Sequence, residues 1–416
     1  MIRLSPFTSL PVFGVNSTRS VATQSWLCWR RMATTSTNSI RFVRQGTLVG
    51  DSVVPFADLA ALHGPLRSDL LAAAARVIDQ GWFVLGGEVA TFEGQWAQAS
   101  GSGFAVGVGT GLDALILSLE ALGVGPGDEV VVPSNTYIAT WLAVSAVGAT
   151  PVPVEPDPIT HVMTPATAET AIGLRTAALL PVHLYGRPVD IDGFEKLAIQ
   201  HGVALVFDAA QAHGATFDGR PVGGRGDATA WSFYPTKNLG ALGDGGAVTT
   251  NDPVVAQTVS ELRDYGRESR HLFARRGRNS RLDELQATFL RVKLEHLDNW
   301  VGRRREIAAR YCEELNGIGL TLPAMDLHAW SAWHFFVVRS RERDGLRSAL
   351  TDFGIETDVH YPIPPHRQPA YAELAPRLGS LPIAELLADE VLSLPMHPML
   401  NDDAVSLVIN AVRSSV

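Results

Sequence analysis

Two apolar runs, each ending at a polar group, constrain this chain more than any other feature. Val203 to Phe207 is continuously apolar and stops at Asp208. An unbroken run needs cover on both faces, as a strand inside a parallel sheet has. Ala228 to Tyr234 is a second apolar and aromatic run, which halts at Pro235 and delivers Lys237 into a Gly-rich loop reaching Gly246. The pattern predicts one acid and one amine just past the carboxyl ends of two strands. That is where open α/β sheets bind ligands.

Such a pair suits pyridoxal phosphate. A lysine can hold the aldehyde of that cofactor as a Schiff base, and an acid can keep its ring nitrogen protonated so that the ring draws electrons. Asp208 and Lys237 are the candidates. Taken singly, each has a plainer reading: a lysine in a Gly-rich loop is commonly a solvated cation, and a strand-terminal aspartate commonly caps the next helix. Ser232, Asn238 and the small residues beside Lys237 leave backbone open to a ligand, which favours the paired reading.

The words around the pair are more specific. SFYPTKNLGALGDGGAV resembles the lysine loop of the DegT/DnrJ/EryC1/StrS family of sugar aminotransferases, and DAAQAHGA resembles that family's strand bearing the ring-nitrogen acid. The resemblance runs over about residues 54 to 416. It implies an α/β fold of the aspartate-aminotransferase kind (fold type I): a large domain with a mostly parallel sheet and a smaller C-terminal α+β domain. It also implies pyridoxal 5′-phosphate as cofactor. KNLGALGDGGA is similar to the branch that aminates C3 of nucleotide-linked 3-oxo-6-deoxyhexoses. The dehydratase branch carries His where this chain has Lys237.

Upstream, Phe104 to Val108 turns through Gly109, Thr110 and Gly111 into a helix predicted over Asp113 to Leu122. A helix N-terminus with free amides is an anion site, and Gly lets a phosphate approach. G-V-G-T-G lacks the third Gly of a dinucleotide fingerprint. By the resemblance Thr110 and Gly111 hold the cofactor phosphate. Leu112 departs from the Thr that many members have there, which removes a side-chain contact. The resemblance further implies that Tyr137 stacks on the pyridine ring, that Gln211 touches the phenolic oxygen or ring, that Ser232 donates to the phosphate, and that Asn279 crosses a homodimer interface to the neighbour's cofactor. Tyr137 has a structural alternative as a helix cap. His183 reads better as a core histidine satisfied by backbone.

Trp82 and Phe83 in GWFVLGGEV are read either as walls of the substrate pocket or as core packing of a helix. Helices are predicted over Ala72 to Ile78, closed by Gly81, and over Thr91 to Ala99. Arg275, Arg276, Arg278 and Arg281 are either a solvated basic loop or a cationic rim for a nucleotide diphosphate. His360 and Tyr361, in a Pro-rich segment, either meet the sugar or belong to a packed lid.

At 416 residues the chain exceeds one compact core, so two lobes are expected: 51–300 binding the cofactor and 301–416 forming the small domain. Residues 1–50 hold six Arg and no Asp or Glu. That composition is read as a disordered leader, or as translation begun upstream of a start at Met32, in preference to a transit peptide. A net charge of -9 argues against a nucleic-acid binder, and no apolar run approaches a membrane span. Two cysteines, Cys28 and Cys312, suggest neither a metal site nor a disulfide framework, which fits the cytoplasm. The expected reaction is a transamination in two halves, from an amino acid such as L-glutamate to C3 of a dTDP-3-oxo-6-deoxyhexose. A 4-oxo sugar nucleotide or a cyclitol ketone is the alternative acceptor. A non-catalytic regulator and a plain nucleotide-sugar binding protein are the rivals outside this chemistry.

Overall fold

The computed structural model describes residues 53–374 and 379–416. The expected leader, with Cys28 and Met32, lies outside the described residues. Seven strands form the main sheet: β1 (Phe104–Val108), β2 (Glu129–Pro133), β3 (Thr150–Val154), β4 (Thr176–Leu179), β5 (Ala204–Asp208), β6 (Ala228–Ser232) and β7 (Gly246–Thr250). Their order is β1-β7-β6-β5-β4-β2-β3. The pairs from β6 through β3 are all parallel, and β7 runs antiparallel to both its neighbours. The reversal has a local cause. A parallel return needs a crossover, usually a helix, whereas the Gly-rich lysine loop turns straight back from β6 into β7. The unbroken run of β5 is explained by burial, since Leu205, Val206 and Phe207 are all inaccessible.

Around the sheet lie α1 (Arg67–Gln80), α2 (Gly87–Ser100), α3 (Gly111–Ala121), α4 (Ile138–Ala146), α5 (Glu284–Leu294) and α6 (Leu297–Glu314). Gly81 closes α1 at φ 66°, its amide donating to the Val77 and Ile78 carbonyls, as its place after an Ala-rich run predicts. α2 starts earlier than the predicted Thr91, because its cap is remote. The Glu284 carboxylate accepts from the amides of Gly86 (2.7 Å), Glu88 (2.9 Å) and Val89 (3.0 Å). A carboxylate at a helix N-terminus satisfies amides that lack an intrahelical partner and meets the positive end of the dipole.

One core unites the sheet with α2 to α5, and its centre is aromatic: Phe92, Trp96, Trp231 and Phe233. Trp96 and Trp231 meet edge-on at 4.9 Å, an arrangement contributing about 0.5–1.5 kcal/mol beyond the area buried. A second core gathers Ile307, Tyr311, Phe336, Leu350, Leu392 and Val408. There Phe336–Arg339 pairs antiparallel with Val391–Leu394. α6 serves both, giving Val301 to the first core and Ile307 and Tyr311 to the second. Buried Arg304 on the same helix donates to the carbonyls of Trp333 (3.1 Å), His334 (3.3 Å) and Met396 (2.6 Å).

Candidate active site

Because β1, β2, β5 and β6 run parallel, their carboxyl ends open on one edge of the sheet. After β1, Thr110 caps α3: its Oγ1 accepts from the Asp113 amide at 3.0 Å. That leaves the first-turn amides of Gly111 and Leu112 for an anion. Gly111 is required by space. A Cβ there would lie 2.5 Å from Cβ of Ser232 and 3.0 Å from its Oγ. A Cβ on Gly246 would run into the Thr110 carbonyl. The turn after β1, the end of β6 and the start of β7 therefore form a cradle that closes only around glycine. Ser280 Oγ supports it from outside, accepting from the Gly109 amide at 3.0 Å.

Asp208 is buried at the end of β5. Its Oδ1 accepts from the Ala210 amide (3.0 Å), and its Oδ2 accepts from Thr140 Oγ1 (2.9 Å), which is itself bonded to Thr136. Burial raises its pKa, while these hydrogen bonds and the Lys237 charge pull it back down. Lys237 shows the mirror effect: burial lowers its amine to about 8, and Asp208 offsets part of that. Asp208 is sealed and Lys237 partly buried, and each feels the other's charge. Thr136 and Thr140, four residues apart on the entry to α4, escaped the sequence reading. Two threonines at helical spacing beside Tyr137 were the available signal.

Tyr137 occupies the cap position of α4 without a side-chain cap bond. Its ring is 55% exposed at the mouth, 5.3 Å from the ring of Tyr361. Gln211 is pinned at both ends of its amide: Oε1 accepts from the Tyr185 amide (2.6 Å) and Nε2 donates to the Tyr361 hydroxyl (2.9 Å). Tyr185 sits at φ 60°, a left-handed conformation rare for a tyrosine, and its hydroxyl donates to the His360 carbonyl. His360 stacks on Phe335 at 3.8 Å and bonds Ser393 Oγ at 2.8 Å. His360 is thus part of a packed lid, while Tyr361 borders the site through Gln211. His183 lies flat against Phe207 at 5.1 Å, and its Nδ1 accepts from the Val189 amide. Burial holds it neutral, near a pKa of about 3, as expected of a core histidine.

Other readings are corrected or sharpened. The cationic rim is largely neutralised: Arg275 pairs with Glu261, Arg278 with Glu120 and Arg281 with Asp264. Trp82 and Phe83 are 63% and 49% exposed, so they are not core packing. Asn279 is exposed, and its ladder partner is Asp264, outside the cluster around Lys237.

The residues fit pyridoxal phosphate on the structure's own terms. A glycine-lined cradle at a helix start suits the phosphate, and a buried acid coupled to a partly buried amine suits the ring nitrogen and the aldehyde. The family model described as the DegT/DnrJ/EryC1/StrS aminotransferase family matches residues 66–413. The chain belongs to this family. It is a pyridoxal phosphate-dependent aminotransferase of the α/β, fold type I architecture. Among its relatives, the "erythromycin biosynthesis sensory transduction protein EryC1" of Saccharopolyspora erythraea is 55% identical over 82% of this chain and 93% of that protein. The dTDP-3-amino-3,4,6-trideoxy-α-D-glucose transaminase of Streptomyces venezuelae is 52% identical over 86% of this chain and 95% of that one. The crystal structure of S. venezuelae DesV in complex with a ketimine intermediate superposes with a TM-score of 0.85 at 52% identity, covering 87% of this chain and 98% of that one. Among the described residues no helix is long and apolar enough to cross a membrane.

Proposed function

We propose that this aminotransferase moves the amino group of an amino acid, glutamate, to C3 of a dTDP-3-oxo-6-deoxyhexose in deoxyamino-sugar biosynthesis. The observation that carries the reading is the pairing of buried Asp208 with partly buried Lys237 at the strand ends. The 52% identity to a dTDP-3-amino-sugar transaminase and the KNLGALGDGGA wording support the acceptor.

The cofactor supplies an aldehyde to receive the amino group and a protonated ring to accept electrons. The chain supplies the rest. Lys237 Nζ, brought to about 8 by burial, is unprotonated in a useful fraction near neutral pH. It takes the proton from the donor's α-carbon and returns one to the cofactor's aldehyde carbon; the second half-reaction runs these transfers in reverse on the keto sugar. Asp208, oriented by Thr140 and the Ala210 amide, is the residue that would hold the proton on the ring nitrogen. The Gly111 and Leu112 amides, with Thr110 and Ser232, would hold the phosphate. Tyr137 would offer its exposed ring as a stacking face, and Gln211, locked between Tyr185 and Tyr361, would meet the cofactor in one fixed orientation.

The active unit is a homodimer in the cytoplasm. Exposed Trp82, Phe83, Leu272 and Phe273 give an apolar surface for a second copy, and exposed Asn279 is free to reach that copy's cofactor phosphate. Residues 51–300 act as the cofactor domain and 301–416 as the small domain. A non-catalytic regulator is disfavoured, because burying the Asp208 carboxyl costs stability that an idle site has no reason to bear.

Absorbance tests the reading. With glutamate alone the cofactor band of the purified protein should shift to shorter wavelength. A 3-oxo sugar nucleotide should then restore it and yield the 3-amino product. A band indifferent to glutamate, or restoration by 4-oxo sugars only, overturns it.

A further inference from the structure

α5 carries a buried cation that the reaction above does not use. Lys293 has 0% exposure and ranks among the largest fully buried side chains. Lysine is almost never fully buried unless paired, yet it forms no ion pair with an acid among the described residues. Its Nζ instead donates to the carbonyl of Gly240 and to His63 Nε2 at 2.9 Å. Burial and the Lys293 charge lower His63 to about 4, so it is a neutral acceptor there.

Gly240 belongs to the loop that presents Lys237. That loop is folded tightly on itself. The Lys237 amide donates to the Tyr234 carbonyl (2.9 Å), the Ala241 amide to the Phe233 carbonyl (2.7 Å), and a Cβ on Gly240 would strike the carbonyls of Pro235 and Tyr234. Seven residues before Lys293, and therefore on the same face of α5, Gln286 Oε1 accepts from the Leu242 amide at 2.8 Å. On the other side Asn238 Nδ2 donates to the Ala332 carbonyl at 2.8 Å. The loop is thus held just after its lysine by one charged and one neutral bond from a single helix face. A bond from an ammonium to a carbonyl is roughly twice as strong as a neutral one.

We infer that Lys293 and Gln286 are positioning residues, which set the placement of the Lys237 amine by fixing the Gly240 carbonyl and the Leu242 amide. Neither needs to touch cofactor or substrate. The inference rests on the reading of Lys237 as the residue that holds the cofactor.

The test uses the cofactor-loaded protein. Lys293→Met keeps the unbranched stem and removes the donor, Lys293→Gln keeps a donor without charge, and Gln286→Ala removes the second bond. Each variant is followed by pH titration of the cofactor absorbance, by kcat and both KM values, and by melting temperature. Lys293→Met should move the apparent pKa of the absorbance band and lower kcat roughly 10- to 100-fold, the scale of a small misplacement, with both KM values unchanged. Lys293→Gln should recover part of each change. Gln286→Ala should move the same readouts in the same direction by less, and it decides the matter if Lys293→Met does not fold. A lower melting temperature with band pKa and kcat as in the wild type would show a purely structural role and overturn the inference. Lys237→Ala separates the two readings: if it keeps the band, the assignment of Lys237 has failed, whatever Lys293 does.

Discussion

A single methyl group at Gly111 probes the phosphate cradle. An ideal Cβ there lies 2.5 Å from Ser232 Cβ and 3.0 Å from both its Cα and its Oγ. Carbon atoms rest about 3.5–4.0 Å apart, so the first turn of α3 and the end of β6 must separate by about 1 Å. Neither moves easily: α3 is buried from Ala114 through Leu119, and β6 is laddered to a strand on each side. Overpacking of this kind costs about 1–3 kcal/mol. The same opening displaces the amides that face the phosphate, so Gly111→Ala should raise the Kd for pyridoxal phosphate about 5- to 150-fold if that energy appears in binding. The assay is an equilibrium titration of cofactor-free protein, with thermal melts alongside. Repeating it in a Ser232→Gly background removes the atom that clashes, and the methyl should then cost about 1 kcal/mol less, a coupling expected of residues in contact. Unchanged melting and affinity, or equal cost in both backgrounds, would refute the packing argument.

Asp208→Asn should still bind cofactor but slow the glutamate half-reaction at least roughly 100-fold, the scale of losing one preorganised electrostatic partner; stopped-flow absorbance reads it, and wild-type rates would remove Asp208 from the mechanism. Lys237 and Lys293 are both lowered from 10.5 to about 8 by burial, so the folded chain releases these protons before the unfolded chain does. Their contribution to the stability of cofactor-free protein should therefore rise with pH between about 8 and 10.5; denaturant midpoints should show a smaller rise in Lys293→Met. Glu284→Ala strands three amides of the α2 start and should destabilise the protein by about 2–3 kcal/mol in urea titration, given the strength of hydrogen bonds to a charged acceptor.

What was legible in the sequence was local. The placement of Asp208 and Lys237 could be read because each lies just past its own apolar run, and strand ends in an open sheet share an edge. The Gly81 cap and the Thr110 turn were readable for the same reason. What stayed hidden depends on partners far along the chain. The true start of α2 is set by Glu284, and Arg275, Arg278 and Arg281 are neutralised by Glu261, Glu120 and Asp264. Nor does RVKL, at the end of α5, show that its lysine is sealed beneath Gly240. The left-handed backbone of Tyr185 has no glycine to announce it; only the contacts to Gln211 and His360 explain how it is held.

The sheet also has a temporal consequence. Among the described residues β1 is the first strand of the main sheet to leave the ribosome and pairs only with β7, and the helix just before it is capped by a glutamate made later still. A nascent chain halted before Gly246 therefore presents β1 with both edges open, so the phosphate turn cannot be set in place during early synthesis. Such long-range pairing makes folding slow. The phosphate turn, made early in synthesis, is among the last parts of the site to be completed.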